Sequence, residues 1–113
     1  MKKNHQMAAI AELNDRLRTG RGLELGTWLV TQGIQAMPEA DQLAILTKVS
    51  RFDAFNGDNN PYGERDFGAF EHGGERVFWK IDYYNLTLDG GSEDPADPAQ
   101  TRRVLTVMLA SEY

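Results

Sequence analysis

Asn59 to Tyr84 reads NNPYGERDFGAFEHGGERVFWKIDYY, and the fold turns on its second half. Gly73-Gly74 separates two runs rich in aromatic and apolar residues, and paired glycines accept the positive φ angles of a two-residue hairpin loop. Strands are therefore expected at about Asp66 to Glu71 and Arg76 to Asn85. With the glycines as the loop, His72 faces Glu75, Glu71 faces Arg76 as an ion pair, Phe70 faces Val77 and Phe67 faces Lys80. Side chains alternate along a strand, so Val77, Trp79, Ile81 and Tyr83 share one face and Phe78, Lys80, Asp82 and Tyr84 the other. The first set is assigned to the core. Gly68, inside the earlier strand, marks a bulge or a close approach by another backbone or a ring such as Trp79.

Before the hairpin, Met7, Ile10, Leu13 and Leu17 recur at three- and four-residue steps, which predicts a helix from about Gln6 to Thr19, stopped by Gly20 and Gly22. Trp28, Leu29 and Val30, between Thr27 and Thr31, have the composition of a short buried strand. A second helix is expected from Pro38 to about Phe55, with Leu43, Ile45, Leu46, Val49 and Phe52 inward and Glu39 and Asp41 at its positive end. Asn56 to Arg65 follows as a polar loop, broken by Gly57, Pro61 and Gly63. After the hairpin, the acidic stretch Asp89 to Asp97 reads as another loop. Asp97, Pro98 and Gln100 then resemble a helix cap, a first helical residue and a capping-box partner. They predict a third helix, packing Val104, Leu105, Met108 and Leu109 inward. Together these elements describe one α+β domain over residues 1–113, with three helices on a small, largely antiparallel sheet and the first strand near the Arg76 to Asn85 strand.

At 113 residues and 41% hydrophobic, the chain is long enough to bury one core without a disulfide or structural metal. A net charge of −5 argues against holding nucleic acid by phosphate neutralisation. Lys2, Lys3, Arg16, Arg18 and Arg21 concentrate positive charge near the start, but Glu12 and Asp15 interleave with them, as on a solvated helix face. The absence of cysteine removes thiolate metal sites and cysteine nucleophiles. No secretory leader and no run of ~20 apolar residues is present, so a cytoplasmic protein without a membrane span is expected.

Few constellations carry chemistry. Asp58, Asn60 and Gly63 match positions one, three and six of a calcium loop, but Tyr62 stands at position five and Ala69 where a bidentate Glu is required. The alternative is a polar loop whose Asp and Asn side chains bond their own backbone amides. His5 and His72 are the only histidines, too few for a three-histidine zinc site. Asp66, Lys80 and Asp82 invite comparison with metal-dependent nucleases, yet Phe78 stands two before Lys80 where an acid is needed. An ion pair between Lys80 and Asp82 is the simpler account. No phosphate-binding glycine loop and no nucleophile elbow occurs. No catalytic residue, metal or other cofactor is assigned.

GERDFG at residues 63–68, WKIDYYN at 79–85 and RVLTVMLASEY at 103–113 together resemble an uncharacterised family of small bacterial proteins, common in alphaproteobacteria and often plasmid-associated. That family's pattern runs Asn-Asp-Pro-x-Gly-Glu-His-Asp-Phe-Gly, then Lys-Ile-Asp-Tyr-Tyr-Asp, then Arg-Val-Leu-Thr-x-Met-Leu-Ala-x-Glu-Tyr, and the likeness covers roughly residues 13–113. It implies bacterial origin and a shared fold, with no assigned activity. This chain departs from the pattern at Asn60 and Asn85, where it has Asp, and at Arg65, where it has His. Three groups suited to metal binding or proton transfer are thus missing while the glycines and aromatics remain.

The expected function is accordingly non-enzymatic binding of a protein partner, in plasmid, phage or defence-related regulation. The surface assigned to it comprises Tyr62, Glu64, Arg65, Asp66, Lys80, Asp82 and Tyr84. The alternative is a metal-assisted hydrolase or nuclease that gathers Glu64, Asp66 and Asp82 into one pocket near Lys80.

Overall fold

A computed structural model describes residues 2–113, with side chains from Gln6 onward, so Lys2, Lys3 and His5 lie outside the described side chains. Helix α1 spans Lys2–Arg18, strand β1 Gly26–Val30, the one-turn helix α2 Gln32–Gln35 and helix α3 Glu39–Ser50. Strands β2 (Phe67–His72), β3 (Glu75–Tyr84) and β4 (Arg102–Leu109) follow, and a last 3-10 turn covers Ala110–Glu112. The four strands form one sheet in the order β1-β4-β3-β2, antiparallel except where β1 runs parallel to β4. The fold is α+β, with three helices and a mostly antiparallel sheet.

The hairpin has the register that a Gly73-Gly74 loop dictates. Phe67 pairs with Lys80, Phe70 with Val77, Glu71 with Arg76 and His72 with Glu75, and both glycines hold positive φ, +57° and +83°. Glu71 and Arg76 meet in an ion pair of 2.9 Å. Val77, Trp79 and Ile81 are buried, and Tyr83 packs beside them. Gly68 explains itself here: a Cβ at that position would overlap the Trp79 indole nitrogen and touch the Phe52 ring. His72 is held by α3 rather than by Glu75. The Lys48 ammonium donates to its Nδ1 at 3.0 Å, and its Nε2–H donates to Asp41 at 2.9 Å.

Residues 102–109 form a strand, not the expected third helix. The cap chemistry at Asp97 is present, since its carboxylate accepts from the Ala99 amide and the Gln100 side chain. It closes only a turn. Beyond it β4 enters between β1 and β3, and strand alternation sends Arg103, Leu105 and Val107 to the buried face. Val104 therefore lies on the opposite face, half-buried instead of in the core. The first strand is also displaced from its expected neighbour, because β4 separates β1 from β3. Helix α3 ends at Ser50, short of Phe55, where the buried Arg18 guanidinium donates to the carbonyls of Val49, Ser50 and Phe52.

Leu13 and Leu17 from α1, Ile34 from α2, and Ile45 and Val49 from α3 cover the face bearing Trp79, Leu105 and Val107. All three helices thus lie against one side of the sheet. The other side carries Thr27 and Leu29 of β1, Val104 and Thr106 of β4, Phe78, Lys80, Asp82 and Tyr84 of β3, and Phe67 and Ala69 of β2. At one end Tyr113 folds onto it, its ring centroid 5.6 Å from that of Phe78 and 6.4 Å from that of Phe67.

Candidate functional site

On the uncovered face, an open cavity of about 370 Å³ lies where the 56–65 loop meets β2 and β3. Tyr62, Asp66, Lys80 and Asp82 line it together with Asp58 and Tyr113. Four of the seven residues assigned to a binding surface from sequence are thereby brought together. Alternation along β3 sets Lys80 and Asp82 side by side, and the ammonium donates to the carboxylate at 2.7 Å. That bond, foremost, raises the Lys80 pKa. Tyr62 stands largely free at 68% exposure and Tyr113 at 76%.

The other three residues point elsewhere. Glu64 faces inward, accepting the Tyr83 hydroxyl at 2.9 Å, while its backbone carbonyl accepts the buried Asn14 amide. Arg65 reaches α1, pairing with Asp15 at 3.0 Å with its guanidinium over the Phe55 ring. Tyr84 lies further along β3, opposite Arg102, half-buried and bridged to Gly91. Among the described residues, no group of three His, Asp or Glu side chains converges as a metal site. The loop asparagines serve the backbone: Asn56 accepts the Asp58 and Asn59 amides, and Asn60 accepts the Arg65 amide. Arg65 itself sits at φ +56°, and the Asn60 bond helps hold that left-handed residue.

Behind the cavity runs a buried polar network that the sequence reading did not anticipate. Asn14 donates to the Tyr83 hydroxyl oxygen at 2.9 Å, and Arg103 Nε donates to Asn14 Oδ1 at 2.7 Å. Arg103 also donates to the Pro95 carbonyl and lies over the Tyr83 ring. Burial pushes the Tyr83 hydroxyl far above its ordinary pKa and lowers that of Arg103. The available signal was Arg103 at an inward position of an alternating run, visible only once residues 102–109 are read as a strand. This network ties α1, β3, β4 and the 56–65 loop into one support for the cavity wall.

Asp66 is the strained member of the site. Burial raises its carboxyl pKa above the ordinary range, as do Glu64 and, less, Asp82; a backbone hydrogen bond opposes them. A carboxyl with a raised folded pKa binds its proton more tightly folded than unfolded. Its stabilising contribution is full below the unfolded value and is lost as pH rises through the folded one. Asp66→Asn, which cannot ionise, is expected to show a higher urea midpoint than wild type at about pH 7 and no advantage at about pH 4. Equal midpoints at neutral pH would show that the ionised carboxylate carries no such strain.

No helix among the described residues is long and apolar enough to cross a membrane. No curated protein and no solved structure significantly matches the chain. A family pattern does match, over residues 30–112, taking in the cavity, the hairpin and all of β4. The chain belongs to the family described as "Protein of unknown function (DUF3768)".

Proposed function

We propose that this chain is a non-enzymatic binding module that engages a protein partner through the uncovered face of its sheet. The observation that carries this reading is the one-sided placement of the helices, which leaves Tyr62 and Tyr113 more than half exposed around the Lys80–Asp82 pair and Leu29 exposed two strands away on the same face. Tyrosine supplies contact area with few rotatable bonds and a polar tip, and a charged pair among such rings fixes orientation. The hydrolase reading has less support, because Glu64 is bonded to Tyr83 instead of joining Asp66 and Asp82. The sequence resemblance suggests a bacterial setting, with plasmid, phage or defence-related regulation in the cytoplasm as its context.

Pull-downs from a bacterial lysate compare wild type with the double variant Tyr62→Ala, Lys80→Glu. Loss of two contact residues at a hot spot is expected to reduce recovery of specific partners by about tenfold or more. Recovery of the same proteins in the same amounts would mean that this face is not the contact surface. Calorimetric titration with magnesium, manganese and calcium tests the other reading, which requires heat that Asp66→Asn abolishes.

A further inference from the structure

β2 lies at the edge of the sheet and, among the described residues, pairs with β3 alone. In a two-residue hairpin the residues flanking the loop exchange both backbone bonds, and every second pair repeats this. The Ile81 amide donating to the Asp66 carbonyl at 2.8 Å fits that phase at the other end of the strand. Backbone groups of Gly68, Phe70 and His72 therefore point at β3, and those of Phe67, Ala69 and Glu71 point away from the sheet. Among the described residues, the Glu71 carbonyl alone of these outward groups has a partner, the Lys48 ammonium at 3.3 Å.

Cavities flank this edge on both sides of the sheet. About 370 Å³ lies between α3 and β2, lined by Phe52, Phe70, Lys48 and Arg51. About 440 Å³ lies on the uncovered face, lined by Phe67, Ala69 and Phe78 and bounded by Ala54 and Asn56 of the following loop. Arg51 is exposed and in no ion pair among the described residues.

We propose that the β2 edge accepts an extended segment of a partner protein as a fifth strand, one with an acidic residue opposite Phe70 and an apolar residue opposite Ala69. A strand laid on this edge alternates its side chains as β2 does. Its residue opposite Phe70 enters the cavity walled by Lys48 and Arg51, where a carboxylate is the complementary group. Its neighbour opposite Ala69 enters the cavity on the other side, where Phe67 and Phe78 form the wall next to Ala69 and Arg76 and Asp58 also line it. Lys48 guards the free edge against indiscriminate pairing, and an incoming carboxylate draws its ammonium away from the Glu71 carbonyl. This edge adjoins the face proposed above and shares Phe67 with its cavity, but its test reads the β2 edge amides and not Tyr62 or Lys80, so either assignment can fail alone.

The probe is an end-blocked peptide of alternating valine and glutamate, compared with a valine–lysine peptide, and the readout is amide hydrogen exchange followed by NMR. In the free protein the Phe67, Ala69 and Glu71 amides should exchange faster than those of Gly68, Phe70 and His72. The acidic peptide should slow the first three by about tenfold or more and the basic peptide should not. Arg51→Glu should reverse that preference, and Ala69→Pro, which removes an outward donor, should abolish protection. Three outer amides left unprotected at millimolar acidic peptide overturn the proposal. So does protection that grows with protein concentration alone, which makes the occupant a second copy of this chain.

Discussion

Trp79→Ala is expected to lower the free energy of unfolding by about 3–5 kcal/mol, a large share of the roughly 5–15 kcal/mol available to an ordinary domain. The indole is fully buried in the middle of β3. It meets Phe52 and Phe55 edge to face, at centroid separations of 5.6 and 6.1 Å, and carries the Arg18 guanidinium 5.3 Å above it. Its removal opens a cavity at the junction of α1, α3 and the sheet, and a packed core relaxes only partially into such a space. Trp79→Phe should cost less than loss of area suggests, since the buried indole N–H has no hydrogen-bond partner among the described residues and phenylalanine deletes that orphan donor. Urea denaturation followed by circular dichroism separates these outcomes. An alanine variant within 1 kcal/mol of wild type, about the median for any substitution, would contradict this account of the core.

Arg18→Met should cost about 3 kcal/mol, nearly as much, for a different reason. Methionine keeps the apolar stem but removes the donors to the Val49, Ser50 and Phe52 carbonyls, where the negative end of α3 favours a cation. It also strands Asp15, which Arg18 meets at 3.0 Å with only 4% of the arginine side chain exposed. Asp15 retains Arg65 on its other oxygen, which limits the damage there. Lysine at position 18 supplies charge without the fork, so Arg18→Lys should recover only part of the loss. Full recovery by lysine in the same denaturation experiment would show that charge alone matters. Early local exchange of the α3 C-terminal amides in the methionine variant would identify the cap as the element that fails.

Legibility followed how local the deciding interaction was. Gly73-Gly74 set the hairpin register, and the register set which face of β3 is buried, so Trp79 inward with Lys80 and Asp82 outward followed from short-range rules. Gly68 was legible through its neighbour across the strand. Residues 102–109 were not, because apolar residues at 104, 105, 107, 108 and 109 suit a helix face and a strand alike. Asp97, Pro98 and Gln100 tipped the reading toward a helix, while pairing with β1 and β3 decided for a strand. Within the candidate site, Lys80 and Asp82 were legible from alternation. The inward turn of Glu64 was not, since it depends on Asn14 and Tyr83, which lie far from it in the chain.

The order β1-β4-β3-β2 gives the molecule a history as well as a shape. During synthesis the β2–β3 hairpin and α3 are complete while β1, made long before, still has no strand to pair with. Only when residues 102–109 emerge can β4 fill the gap, with β1 on one side and β3 on the other. The β1–β4 pairing joins residues far apart in sequence and is slow to close, and until residues 102–109 pair with it the inner edge of β3 stays open to any neighbouring chain. The strand that the sequence hides best is therefore the one whose arrival separates a nascent, aggregation-exposed chain from a finished one.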